Sequence, residues 1–165
     1  MKIGILQTGH APAETVETLG DYPDMFARLL AGHGFDFDAW PVVDGVFPPG
    51  PEAADGWLVT GSKYSSYEDH PWIRPLEDLL RAIAASNRPM IGICRYAGLA
   101  YGDTILTVQP HPEFGADMIA ALIRHRGPGV IDAAQLAQAE ARLDTALDAP
   151  DFANRMADFF KRTAS

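Results

Sequence analysis

Hydrophobic positions along the chain fall into short unbroken runs separated by longer stretches of helical period. Lys2 to Leu6 is an apolar run that ends at polar Gln7, Thr8, Gly9 and His10, which predicts a strand and then a loop. Pro23 predicts the opening of a helix with Phe26, Leu29 and Leu30 on one face, closed near Gly32 and Gly34. Phe35 to Val43 alternates weakly and predicts a second strand. Gly56 to Thr60 predicts a third, closed by Gly61. Pro71 starts a helix with Leu76, Leu79, Leu80 and Ile83 on one face. Pro89 to Cys94 and Thr104 to Gln109 read as two further strands, the second ended by Pro110. Gly115 to Arg124 reads as a helix with Met118, Ile119 and Leu122 inward. Two helices, Ala133–Leu147 and Phe152–Arg162, follow on either side of Pro150. Strands spaced by helices of this length require parallel crossovers. The expected class is therefore α/β, a mostly parallel sheet with helices on both faces.

Composition narrows the function classes. The chain has 165 residues and 47% hydrophobic content, enough for one domain with a real core over 1–165. The stretch Phe47-Pro48-Pro49-Gly50-Pro51 is too short for a linker and reads as a stiff loop. A net charge of -9, from 13 Lys+Arg against 22 Asp+Glu, argues against a nucleic-acid or anionic-membrane partner. No apolar run approaches the roughly 20 residues that span a bilayer. The run Met1–Leu6 is broken at once by Gln7 and Thr8, so a leader peptide is not expected. A single cysteine excludes an intrachain disulfide and fits a reducing, cytoplasmic location.

Ligands of open α/β sheets bind beyond the carboxyl ends of the strands, so the residues there are the candidates for chemistry. They are Gln7 to His10, Thr60 to Lys63, Cys94, and Pro110 to Phe114. Cys94 at a strand-to-helix turn could act as a thiolate nucleophile; its alternative is a small buried hydrophobe. His111 and Glu113, at i and i+2 of an extended segment, point to one side, so the carboxylate could orient an imidazole facing the thiol. A solvated loop is the alternative. Gly61 and Ser62 could expose a backbone N–H to an oxyanion or form an ordinary turn. Tyr64, Tyr67 and Trp72 could wall a pocket or pack a loop on the core. Phe152, Met156, Phe159 and Phe160 form an apolar stripe that suits the core, or else a homodimer contact. The histidines show no metal-ligand spacing, and no phosphate-binding glycine loop occurs, so no metal and no cofactor are expected.

Several segments together resemble class I glutamine amidotransferase domains, of the small kind related to the glutaminase part of GMP synthase. Thr107-Val108-Gln109-Pro110-His111-Pro112-Glu113-Phe114 is similar to that family's His-x-Glu segment. Thr60-Gly61-Ser62, with Tyr67-Glu68-Asp69-His70-Pro71-Trp72-Ile73 after it, resembles the oxyanion strand and its loop. Arg88 to Cys94 resembles the strand entering the nucleophile elbow. The resemblance implies a flavodoxin-like fold and a Cys94–His111–Glu113 triad that hydrolyses the glutamine side-chain amide. It also implies an oxyanion site at Gly61 and Ser62, and an ammonia-accepting synthase partner.

One departure stands out. The family's elbow reads Gly-x-Cys-x-Gly, whereas here Tyr96 stands where the second glycine belongs. Arg95 to Asp103 resembles a later strand, the one before the His-x-Glu strand, so a segment near 94–95 looks absent. Cys94 then belongs to the elbow or to the downstream side of that junction. Three functions follow: a glutaminase-type amidotransferase, a non-catalytic α/β binding module that lost its elbow, or a related cysteine hydrolase acting on γ-glutamyl bonds.

Overall fold

The computed structural model describes residues 1–65, 67–93 and 99–163. Its strands are β1 (Lys2–Leu6), β2 (Asp36–Trp40), β3 (Gly56–Val59), β4 (Met90–Ile93), β5 (Leu99–Tyr101) and β6 (Ile105–Val108). They form one sheet in the order β2-β1-β3-β4-β6-β5. All neighbours pair in parallel except β5, which runs antiparallel to β6. The helices are α1 (Ala13–Leu19), α2 (Tyr22–Leu29), α3 (Ile73–Ala85), α4 (Ala116–Arg126), α5 (Ala133–Glu140) and α6 (Ala149–Thr163). The expected α/β class, mostly parallel with helices on both faces, is the one observed.

Successive side chains of a strand point to opposite faces, and here both faces are buried. Ile3, Ile5, Leu58, Ile91 and Ile93 meet Phe26 and Leu30 of the α2 region and Met156, Phe159 and Phe160 of α6. Leu6, Trp57 and Met90 face the other way, onto Leu76 and Ile83 of α3. The apolar stripe of α6 therefore packs on this chain's own core, Met156, Phe159 and Phe160 within it and Phe152 at its margin. At Gly4 an added Cβ would lie 2.5 Å from the ring of Trp57, a fully buried side chain. Gly4→Ala is expected to lower stability by about 1–3 kcal/mol through overpacking, read as a fall in Tm.

Several boundaries differ from the sequence reading, each for a local reason. The second strand ends at Trp40, because Pro41 has no N–H for the ladder; residues Val42–Asp44 form a 3-10 turn instead. Helix α1 was not expected: it buries only Thr15, so it shows no apolar stripe. Helix α5 stops at Glu140 rather than Leu147 and buries no residue. Pro150 does not separate two helices. It lies in the first turn of α6, where a missing N–H costs nothing. Strand β5 lies within the segment that only the family resemblance marked as a strand. Cys94, Arg95 and Tyr96, and with them the junction expected near 94–95, lie outside the described residues. Among the described residues, no helix is long and apolar enough to cross a membrane.

Candidate active site

Parallel pairing of β1, β3, β4 and β6 brings their carboxyl ends to one edge of the sheet. The loops that leave β1 and β3 are tied together there. The Thr8 N–H donates to Thr60 Oγ1 at 3.0 Å, and the Thr8 hydroxyl donates to the Thr60 carbonyl at 2.7 Å. Both threonines are buried, so these bonds are shielded from water and fix the position of Gly61. Thr8 and Thr60 stand at strand ends in the sequence, where nothing local marks this pairing.

The segment after β6 is a tight turn. The Phe114 N–H donates to the His111 carbonyl at 3.1 Å, with Pro112 and Glu113 between them. Pro112 suits the second position of such a turn, since its ring presets φ. His111 and Glu113 therefore converge because the chain turns, not because it is extended as the i, i+2 argument assumed. Their side chains meet: His111 Nδ1 lies 2.8 Å from Glu113 Oε1. The Glu113 side chain is 1% exposed and that of His111 40%, so the pair has a buried carboxylate and an open imidazole. Glu113 Oε2 is buried with no hydrogen-bond partner among the described residues. Among the described residues, the carboxylate's side-chain hydrogen bonding is thus made toward His111.

Two further contacts define the imidazole's place. Its face stacks on Phe114 at 4.5 Å between centroids and 10° between planes. Phe114 in turn stacks on Tyr22 at 6.0 Å. Its edge abuts Gly61, where an added Cβ would lie 2.7 Å from His111 Cε1. Gly61 is thus a glycine because the ring occupies the side-chain space. Neither the Gly61 nor the Ser62 N–H has a partner among the described residues. The Ser62 hydroxyl accepts from the Tyr64 N–H at 3.1 Å and shapes the loop. Nothing in a linear pattern marks the role of Phe114, because a ring stack across a turn leaves no periodic signal.

A second polar group lies at the same edge, after β1. His10 Nδ1 is 2.6 Å from Asp21 Oδ2, and His10 Nε2 is 3.0 Å from Asp44 Oδ2. The hydrogen bond to Asp21 raises the His10 pKa, against a smaller opposing effect of burial, and Asp44 adds to the rise. Burial pushes the Asp21 carboxyl up, but hydrogen bonds from the Ala11 N–H, His10, the Tyr22 N–H and Gln7 together hold it below its usual value. A raised histidine contributes stability below its ordinary pKa of about 6.5 and loses it as pH rises through the folded-state value. A lowered aspartate contributes above its ordinary value near 4 and loses it in more acid solution. The Tm difference between the natural chain and His10→Ala is therefore expected to be largest below the ordinary histidine pKa of about 6.5, while the aspartates are still ionised, and to shrink as pH rises through the raised His10 value, in thermal scans against pH. Among the described residues, no group of three His, Cys, Asp or Glu side chains is set to hold a metal ion.

The whole architecture has solved counterparts. A glutamine amidotransferase from Methylobacillus flagellatus superposes with a TM-score of 0.72 at 15% identity, covering 98% of this chain and 94% of that one. The fold is that of the class I glutamine amidotransferases. A second structure with this amidotransferase fold, from Thermotoga maritima, matches with a TM-score of 0.65 at 14% identity, over 99% of this chain and 98% of that one. The sequence itself is similar to γ-glutamyl peptidases of Arabidopsis thaliana. γ-Glutamyl peptidase 4 is 30% identical over 102 residues, 59% of this chain and 41% of the relative. γ-Glutamyl peptidase 3 is 27% identical over 93 residues, 55% of this chain and 35% of the relative. The chain thus matches less than half the length of these curated relatives. No sequence-family model matches it. On the amidotransferase fold, the edge that holds His111, Glu113 and Gly61 lies next to the end of β4, the strand that leads into Cys94.

Proposed function

We propose that this chain is a cysteine hydrolase of γ-glutamyl amides, a glutaminase that hydrolyses the side-chain amide of glutamine through Cys94, His111 and Glu113. The 2.8 Å pair of His111 and Glu113, with the imidazole edge against Gly61, carries this reading. Cys94 Sγ attacks the δ-carbonyl carbon of glutamine as His111 takes the thiol proton. The carbonyl becomes an oxyanion, received by the N–H groups of the Gly61–Ser62 turn. The C–N bond then breaks, and His111 returns its proton to the departing ammonia. Water, deprotonated by His111, cleaves the thioester to glutamate and regenerates the thiol. Glu113 orients the ring and balances the charge of the imidazolium. Ammonia passes to an acceptor on a synthase partner, and a cytoplasmic location suits the free thiol.

The similarity to γ-glutamyl peptidases supports a second substrate for the same machinery, a γ-glutamyl peptide, whose leaving group is an amino acid rather than ammonia. Amine release from glutamine and from γ-glutamyl dipeptides, compared between the natural chain and Cys94→Ala, tests both. The expected result is activity that falls to background in Cys94→Ala. Equal rates in the two chains would remove Cys94 as nucleophile. A chain that binds γ-glutamyl compounds without turnover would instead be the binding module.

A further inference from the structure

The loop that follows Gly61 carries a surface that ammonia release does not use. Tyr64 and His70 lie 4.7 Å apart edge to face, Tyr64 and Trp72 6.0 Å apart, and His70 stacks on Trp72 at 6.2 Å and 13°. The cluster is anchored from below and from the side. Trp72 packs against the core under α3, and His70 is held by Glu68 at 2.7 Å. The three side chains remain only partly buried, so the cluster presents ring surface outward. Neither the Tyr64 hydroxyl nor the Trp72 indole N–H has a hydrogen-bond partner among the described residues. Lys63 sets its ammonium 5.1 Å from the centre of the Tyr64 ring. It forms no ion pair among the described residues, although Glu68 and Asp69 share its loop.

This surface adjoins the reaction centre through the chain itself. Lys63 is two residues beyond Gly61, so their Cα atoms are at most about 7.6 Å apart. Gly61 touches the imidazole. The loop that bears Lys63 and Tyr64 therefore starts at the position where a group leaves the acyl carbon. Ammonia offers neither apolar surface nor negative charge to this loop. An amino acid leaving group offers both, a side chain for the rings and a carboxylate for the ammonium.

We propose that Lys63, Tyr64, His70 and Trp72 form a subsite for the amine side of a γ-glutamyl peptide whose released residue has a large apolar side chain and a free carboxylate. This rests on the proposed γ-glutamyl hydrolase chemistry and names its preferred substrate class. The bond cleaved is the γ-amide. Its nitrogen takes the proton from His111 and leaves as the α-amine of the residue seated on the shelf.

The test compares γ-glutamylphenylalanine, its carboxamide, γ-glutamylalanine and glutamine on the full chain, with Lys63→Met and Tyr64→Ala. Both positions lie in an exposed loop, so the variants are expected to fold. Lys63→Met is expected to lower kcat/KM for γ-glutamylphenylalanine about fivefold, mainly through KM, since an exposed charge contact is worth under about 1 kcal/mol. It should leave glutamine and the carboxamide unchanged within twofold. Tyr64→Ala should narrow the preference for phenylalanine over alanine as the released residue. Equal losses on all four substrates would overturn the subsite, as would a natural chain that hydrolyses glutamine but none of the peptides. Binding of γ-glutamylphenylalanine to Cys94→Ala, measured by calorimetry, separates the two readings. Lys63-dependent binding with no turnover in the natural chain upholds the shelf while the hydrolase reading fails. Absence of both binding and turnover overturns the shelf.

Discussion

Glu113→Gln is expected to reduce kcat for γ-glutamyl amide hydrolysis by about a thousandfold while the protein keeps its fold. The carboxylate directs one oxygen at His111 Nδ1 at 2.8 Å, and the other is buried without a partner among the described residues. An amide in its place no longer balances an imidazolium. It can also turn its NH2 toward Nδ1, which selects the wrong tautomer and leaves the open nitrogen protonated and unable to take the thiol proton. Stability should move little, because the amide fills the same space as the carboxylate and keeps a hydrogen bond to His111 Nδ1. Kinetics with glutamine and a γ-glutamyl dipeptide, beside a thermal scan, read both effects. A variant within tenfold of the natural kcat would remove Glu113 from the mechanism. A collapse of Tm would make its role structural.

Gly61→Ala should reduce activity by about a hundredfold or more. The new Cβ would lie 2.7 Å from His111 Cε1, well inside ordinary contact distance. The imidazole has to move, because the backbone at Gly61 is held through Thr8 and Thr60. Moving it breaks either the bond to Glu113 or the stack on Phe114. A displacement on the order of 1 Å is enough to cost that factor, since proton transfer depends on alignment. The side chain of His111 is 40% exposed, so the ring yields outward and the fold survives. A Gly61→Ala chain that retains its Tm and its activity within fivefold would show that His111 tolerates the shift and is not the proton carrier.

Much of this protein is legible one residue after another. Lys2–Leu6, Gly56–Val59 and Met90–Ile93 read as strands because both faces of a parallel sheet are buried, which leaves unbroken apolar runs. α3 and α6 read as helices because each lays one apolar stripe on the sheet. The His111 and Glu113 pair was legible as a spacing, although the reason they meet is a proline turn rather than an extended segment. Helix α1 and the end of α5 were illegible for the opposite reason. They bury almost nothing, so no periodic pattern is imposed on their residues.

The sequence by itself determined the alternation of strands and helices, the absence of a phosphate-binding glycine loop, and the residue types at each strand end. These depend on local periodicity, which is carried by neighbours in the chain. Tertiary structure alone decided that β1 sits between β2 and β3, and that β5 turns back antiparallel on β6. It alone decided that Gly61 gives its side-chain space to His111 and that Phe114 supports the imidazole face. Residues 61 and 111 are far apart in sequence and become neighbours only when the parallel sheet aligns its strand ends. No spacing rule reaches across that distance, because the contact is set by packing rather than by the period of any one element.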